Sequence, residues 1–203
     1  MAAEKLMLSS VRCSFLTLGE PEQFQGKGKF RWSATFLVPA DSPLKKMVDD
    51  AIVKVAKEKW PNKYAALLKG ILTDPKGCCW MDGERKAYEG YEGHFALSAH
   101  RYQDSGRPLV IDHDKSPIYQ KDNTLYQGKE GRIYSGCFVN GQIEIWAQDN
   151  NNGKGIRATL LGVQYVKRGD AFGGGSRPDA DDFGEVADGA DADEMGDEAS
   201  DLV

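Results

Sequence analysis

A two-residue alternation of apolar and polar side chains recurs along this chain and restricts much of it to β-strands. Between Phe30 and Val38 apolar residues occupy every second position, and the polar residues between them fall on the opposite face. Similar alternation occurs at His94–Tyr102 and Gly141–Gln148. Because successive side chains of a strand point to opposite faces of a sheet, each segment predicts a strand with one buried and one solvated face. Trp32 belongs to the buried set.

Other parts of the chain also have the composition of strands and turns. Further strands are predicted at Leu6–Leu18, Leu109–Asp112, Arg132–Val139 and Gly155–Lys167. The pair Asn140-Gly141 is typical of a tight hairpin turn, and residues 149–153 predict a polar hairpin loop. Residues 113–131 form a long charged connection, and connections of that length are usually functional or mobile.

One long amphipathic helix interrupts the strands. Residues 41–42 offer two capping side chains, and Pro43 suits the first helical position. Apolar residues then recur at helical spacing until Trp60, so the helix should pack one stripe against a sheet. A shorter helix is predicted over 62–69, ending at Gly70.

Several strands of medium length and one amphipathic helix describe a mainly β domain with a helical insertion. The best fit is an oligonucleotide-binding (OB) fold, a partly open five-stranded Greek-key barrel. A β-sandwich is the alternative. A chain of 203 residues has room for one such domain and a tail.

Charge is divided unevenly between the two parts of the chain. Residues 171–203 contain eleven acidic residues and one arginine, a net charge of −10, whereas residues 1–170 carry a net charge of +5. The segment after residue 170 has a glycine hinge and few apolar residues, so it is predicted to be a disordered acidic tail. A basic domain over 1–170 with such a tail indicates a polyanionic partner or a regulatory tail, and a tail that only solubilises is the alternative.

The hydropathy pattern predicts a soluble intracellular protein, and the cysteines are interpreted on that basis. Cys13, Cys78, Cys79 and Cys137 lack the clustered framework of a disulfide-rich domain, and no pair has the spacing of a zinc site. They are therefore predicted to be buried, reduced thiols. We find no apolar run that could span a bilayer, no apolar signal region and no motif for a cofactor, so none of these is expected.

Trp146 is the residue that bears most directly on function. It lies on the polar face of its predicted strand, where its ring could stack on a nucleobase. The alternative is that a loop or a partner subunit covers it. Weaker candidates for stacking are His100 and Tyr102, on the polar face of the preceding long strand, and Tyr91 in the loop before it.

Basic residues on or beside the strands could line the same groove. They are Arg12, Lys29, Arg31, Arg101, Arg132 and Arg157. Stacking contributes roughly 1–3 kcal/mol per base, and contacts from Lys and Arg to phosphate give an affinity that depends on salt. The combination predicts binding of single-stranded nucleic acid without sequence specificity.

Two other classes of function remain open. Asp112, Asp114 and Glu144 could hold the metal ion of a nuclease, although two acidic residues flanking a histidine at a strand end are more often ordinary loop polarity. The tail and the exposed aromatic residues could instead bind protein alone, as in a structural adaptor. The chain has no phosphate-binding glycine-rich motif, so an ATP-driven function is not supported.

The order of several short motifs resembles the single-stranded-DNA-binding proteins of tailed-phage replication. The motifs are Phe30–Val38 followed by Pro43–Lys59, Ile133-Tyr134-Ser135-Gly136, Lys154-Gly155-Ile156 and Phe172-Gly173-Gly174-Gly175. The resemblance implies an OB-fold, no enzymatic activity, a place in the host-cell cytoplasm and a stacking role for Trp146. It also implies that the tail contacts replication proteins such as a polymerase or helicase, with a homo-oligomer as an option. This chain ends in Leu202-Val203, which departs from the aromatic terminus usual in that family.

Overall fold

Seven strands and two helices form the part of the chain that the computed structural model describes, residues 3–151 and 153–173. The strands are β1 (Ala3–Phe24), β2 (Lys27–Pro39), β3 (Trp80–Asp82), β4 (His94–Tyr102), β5 (Leu109–Ile111), β6 (Phe138–Asn150) and β7 (Gly153–Lys167). The helices are α1 (Pro43–Lys59) and α2 (Tyr64–Thr73), both between β2 and β3.

Five of the strands close into a barrel. Neighbours pair antiparallel in the order β4-β2-β1-β6-β7, and a parallel bridge between His100 of β4 and Thr159 of β7 closes the circle. The short strands β3 and β5 pair at the outside with β4 and β7. The predicted OB-fold is confirmed, and the barrel is closed where the sequence led us to expect a partly open one.

The alternating apolar residues of β2 and β6 fill the interior of the barrel. Phe36, Ile143 and Ile145 are fully buried, in agreement with the predicted faces. Trp32 is 4% exposed and its indole Nε1 donates to the carbonyl of Gly19 at 2.8 Å. Trp32 is therefore a core residue, as predicted.

Helix α1 packs against β1, β2 and β6. The Ser42 hydroxyl accepts a hydrogen bond from the backbone N–H of Leu44, and Pro43 begins the helix as predicted. Helix α2 continues through Gly70 to Thr73, beyond the predicted end, because burial of Ile71 offsets the low helix propensity of glycine. No helix of the described residues is long and apolar enough to cross a bilayer.

The segment before β6 differs from the sequence-based expectation. The predicted strand at Arg132–Val139 is wrong for residues 132–137, which form turns, and β6 begins at Phe138. The predicted hairpin turn at Asn140-Gly141 is also wrong, because both residues continue β6. A side chain at position 141 would come within 2.4 Å of the Phe36 ring, so this glycine makes room for the core.

The four cysteines are free and buried, as predicted. The sulfur atoms of Cys13 and Cys137 lie 3.6 Å apart without a disulfide bond. Their side chains occupy the core beside the turn that precedes β6. These residues therefore contribute to packing as small apolar groups.

The chain stays on the barrel for a short distance beyond residue 170, where the tail was predicted to begin. The backbone N–H of Phe172 donates to the carbonyl of Ser135 at 3.0 Å, and its ring lies 4.2 Å from the Arg12 guanidinium. The Phe172 ring also occupies the space that a side chain at Gly90 would need. The rest of the predicted tail, 174–203, lies outside the described residues.

Candidate nucleic-acid interface

One side of the barrel, which we call the open face, carries the side chains of β2 and β4 that alternate with the core. They lie in three cross-strand rows, Arg31 with Tyr102, Ser33 with His100, and Thr35 with Ser98. The first row is charged and aromatic, whereas the third consists of two hydroxyl groups 3.1 Å apart. The open face is therefore a shallow polar floor with aromatic rings and a cation at one end.

The open face continues across the seam between β4 and β7. Thr159 of β7 pairs with His100, and the Trp146 indole Nε1 donates to the Thr159 hydroxyl at 3.1 Å. Trp146 is half-buried and faces Arg157 across the β6–β7 ladder. The barrel thus brings Trp146 to the same face as His100 and Tyr102, as the alternation in each strand predicts.

His100 carries no charge at neutral pH. Burial, together with the positive charges of Arg31 and Arg157, lowers the pKa of its imidazole to about 4. The ring packs edge-on against Tyr102 with centroids 5.1 Å apart. His100 therefore offers a neutral aromatic ring with hydrogen-bonding nitrogens.

The Arg31 side chain on the open face has unused hydrogen-bond donors. Among the described residues its guanidinium forms no hydrogen bond or ion pair, and it lies 4.6 Å from the centroid of the Phe24 ring. Partial burial lowers its pKa, but an arginine stays charged at neutral pH. A desolvated guanidinium with free donors is suited to a phosphate oxygen.

Lys29 lies near the same end of the face. Its ammonium forms an ion pair with Asp104 at 2.6 Å, and about 70% of both side chains is exposed to solvent. An ion pair this exposed contributes little to stability, so a phosphate could replace the carboxylate at small cost.

Arg101 and Arg132 do not belong to the open face. Arg101 lies on the opposite side of β4, where it donates to the carbonyls of Ser105 and Gly106 at 2.7–3.2 Å. Arg132 lies in the turns before β6, and its Nε is 3.2 Å from a carboxylate oxygen of Asp112. Both side chains hold the protein's own structure together.

Arg12 and Tyr91 occupy a covered end of the face. Arg12 donates to the carbonyls of Gly136 and Asp170 and lies under the Phe172 ring. Tyr91 is 3% exposed and its hydroxyl is hydrogen-bonded to Ser14 at 2.7 Å. Its ring has no face open to a base, so Tyr91 lies outside the interface.

Arg157 is on the open face, and its Nε and Nη1 donors are used within the protein. It donates to the carbonyls of Lys76 and Gly77 and to the side-chain oxygen of Gln148. Its charge acts on His100 through space. Arg157 therefore adds positive potential to the face, while most of its hydrogen bonds hold the protein's own structure.

Sequence reasoning missed four exposed aromatic residues, of which the alternation of β2 predicts one, Phe30, to be buried. They are Phe15 (56% exposed), Phe24 (60%), Phe30 (48%) and Tyr88 (48%). Phe24 is brought to Arg31 by the hairpin of β1 and β2, and Phe15 is turned outward by an irregularity in β1. The hydrophobic pattern gives no signal for the exposure of Phe15, because a bulge shifts the alternation by one residue.

The acidic residues considered for a nuclease form no metal site. Asp112 is fully buried and ion-paired with Lys129 at 2.7 Å and with Arg132. Burial raises the pKa of the carboxyl, but the hydrogen bonds from Lys129 and His113 outweigh it and hold the pKa well below its usual range. Within residues 3–151 and 153–173, no group of three His, Cys, Asp or Glu could hold a metal ion.

Comparison with known sequences finds a match over nearly the whole chain. A family model described as the single-stranded-DNA-binding protein of Enterobacter phage Enc34 matches residues 4–195. Putative protein p50 of Acyrthosiphon pisum secondary endosymbiont phage 1 is 40% identical over 185 residues, which cover 90% of this chain and 94% of that protein.

Solved structures show the same fold. The single-stranded-DNA-binding protein of bacteriophage Enc34 in complex with single-stranded DNA has a TM-score of 0.67 at 28% identity, covering 83% of this chain and 89% of that one. The same protein without DNA gives 0.64 at 29% identity over 88% of both chains. The single-stranded-DNA-binding protein gp2.5 of bacteriophage T7, at 17% identity and a TM-score of 0.54 over 98% of this chain and 100% of its own, supports the fold alone.

Proposed function

The chain belongs to the family of the phage Enc34 single-stranded-DNA-binding protein, and we propose that it coats transient single strands during phage DNA replication or recombination. The resemblance indicated by the order of its motifs is confirmed, and the chain is a phage single-stranded-DNA-binding protein. The strand binds one face of the barrel, the acidic tail modulates that binding, and the protein carries out no catalysis.

The open face is the surface that we assign to the strand. One observation carries the assignment: Arg31 has unused donors and lies in a cross-strand row with Tyr102, beside His100 and across the seam from Trp146. Bases stack on the rings, and the guanidinium binds the phosphate between them. Each stacked base contributes about 1–3 kcal/mol.

The chemistry of the face supports binding without sequence specificity. Every base has a ring face to stack, whereas base identity is read by hydrogen bonds to base edges. Beside and beyond the rings, the side chains of the floor are the short hydroxyls of Ser33, Thr35 and Ser98. Short hydroxyls donate or accept equally well, so they discriminate little between bases.

The tail acts as a competitor for the same surface. The described chain ends at Gly173, next to the covered end of the open face, and the residues beyond it carry the acidic charge. A tethered segment reaches a local concentration of roughly millimolar, so a weak contact can compete with DNA. DNA on the open face then frees the tail for a replication protein such as a polymerase or helicase in the host-cell cytoplasm.

An assay with labelled oligo-dT, magnesium and the full chain tests this function against its two alternatives. A retarded, uncut strand is the expected result. Cleavage would support a nuclease, and an unshifted strand would support an adaptor that binds protein only. The same assay with random-sequence strands should give similar affinities, because stacking tolerates every base.

A further inference from the structure

Phe15 has a backbone conformation that is strained for its residue type. Its φ is +48°, in the left-handed region that bulky side chains rarely adopt. It lies where the pairing of β1 with β2 changes register, between Ser14 and Thr17, and 56% of it is exposed. Strain of this kind persists only where surrounding structure holds it, and it concentrates at functional sites.

Two tyrosines of the loop before β4 brace this ring. Tyr88 packs edge-on against Phe15 with centroids 5.0 Å apart, and Tyr91 does so at 6.3 Å. Tyr91 is in turn fixed by its hydrogen bond to Ser14 and by packing against the second apolar cluster of the protein, with Leu37. Phe15 and Tyr88 are therefore held in place while remaining about half exposed.

This aromatic pair borders the hydroxyl end of the open face. Ser14, next to Phe15 in β1, pairs with Thr35, whose hydroxyl contacts Ser98 at 3.1 Å. Tyr102 lies four residues further along β4, about 13 Å away at the usual rise of a strand. The polar floor of the open face thus has an aromatic group at each of its two ends.

We propose that Phe15 and Tyr88 form a second base-stacking site for single-stranded DNA, at the opposite end of the open face from Tyr102 and Trp146. The inference rests on the proposed function, because it extends the path of the same strand. The occupant is one nucleobase. Its apolar ring face can stack on the exposed ring of Phe15, which Tyr88 and Tyr91 hold in place by edge-on contacts. Continuity with the polar floor of the open face selects the same DNA strand over an apolar peptide, which would bury that polar floor against apolar side chains.

The substitution Phe15→Asn separates binding from stability. Asparagine tolerates the left-handed conformation and has no ring to stack, so the variant should keep or raise the melting temperature while losing affinity. The expected loss for long oligo-dT is about 5- to 150-fold. Tyr88→Ala, in an exposed loop, should weaken binding in the same direction. Tyr126→Ala removes another exposed tyrosine, from the loop after β5, and should leave affinity unchanged.

Binding measured with oligo-dT of different lengths tests the second stacking site separately from DNA binding by the rest of the open face. Oligo-dT that spans only one end of the face should bind wild type and Phe15→Asn about equally, and longer strands should separate them. Equal affinity of wild type, Phe15→Asn and Tyr88→Ala at every length would overturn the second site while leaving DNA binding by the open face intact. A wild-type chain that binds no oligo-dT would instead overturn the proposed function.

Discussion

The indole Nε1 of Trp146 donates a hydrogen bond to the hydroxyl of Thr159 at 3.1 Å, across the hairpin of β6 and β7. Thr159 is also the residue that closes the barrel against His100. The bond satisfies the polar atom of the indole and fixes the orientation of the ring beside the seam. The remaining apolar surface of Trp146 is then held in one position before any ligand arrives, which lowers the entropy cost of stacking.

We expect Trp146→Ala to weaken binding of oligo-dT by about 1–3 kcal/mol, because one stacking partner is lost. Trp146→Phe keeps a ring without the hydrogen bond and should retain part of the affinity. Fluorescence anisotropy with labelled oligo-dT measures both. The matched control is Trp32→Ala, which removes a core ring and should lower the free energy of unfolding by about 3–5 kcal/mol. If Trp146→Ala destabilises the protein to that degree and spares binding, the ring belongs to the core.

Arg31→Ala should reduce the dependence of affinity on salt. Loss of one phosphate contact on a single strand lowers the slope of log K against log salt by about 0.7. Arg101→Ala and Arg132→Ala should leave that slope unchanged, because those side chains are bonded within the protein. Titrations of each variant with oligo-dT at four or more salt concentrations measure the slopes to be compared. A reduced slope for Arg132→Ala alone would place the strand on the other side of the barrel.

Lys129→Met should destabilise the protein without changing the DNA affinity of the folded state. The substitution removes one of the cations that neutralise the fully buried Asp112, and an uncompensated buried charge costs up to about 3–5 kcal/mol. Urea denaturation measures the loss. The double variant Asp112→Asn with Lys129→Met should lose less than Lys129→Met alone, and an additive result would contradict the coupling.

The stability of the fold should depend on pH through His100. Burial holds its pKa at about 4 in the folded state, whereas an unfolded histidine titrates near 6.5. Between these values the unfolded state binds more protons, so stability falls as the pH falls from about 6.5 to about 4, by about 3 kcal/mol from this group. Thermal melts of wild type and His100→Gln across that range test the prediction. Parallel curves would show that another group is responsible.

Truncation after Gly173 should tighten the binding of oligo-dT at low salt, because it removes the acidic competitor. The gain should shrink as salt screens the attraction between the tail and the basic domain. Competition by a short peptide with the sequence of residues 176–203 provides a control in trans. Equal affinities of full-length and truncated chains at low salt would reduce the tail to a solubilising segment.

Local periodicity was sufficient to predict β2, β4, most of β6 and the first helix, and the faces of their central residues. The two-residue alternation assigns Trp32 to the buried face of β2 and Arg31 to the solvated face. This assignment does not depend on which strands pair with β2, because successive side chains of a strand point to opposite faces. Helix α1 was predicted from its spacing and its cap for the same reason. The strands, the helix and their faces depend on residues that are close in the sequence, within about one helical turn or one pleat of a strand.

Only the tertiary structure decided which residues with a surface-like pattern are free to bind DNA and how the strands pair. Arg132 and Tyr91 look like surface residues in the sequence, but segments distant in the chain bind them through Asp112 and Ser14. Gly141 looks like a turn residue, yet its missing side chain makes room for a ring from another strand. The sequence alone determined periodicity, face and charge, because these depend on local geometry. The fold decided partners, the bulge that exposes Phe15 and the closure of the barrel, because these depend on contacts between residues far apart in the chain.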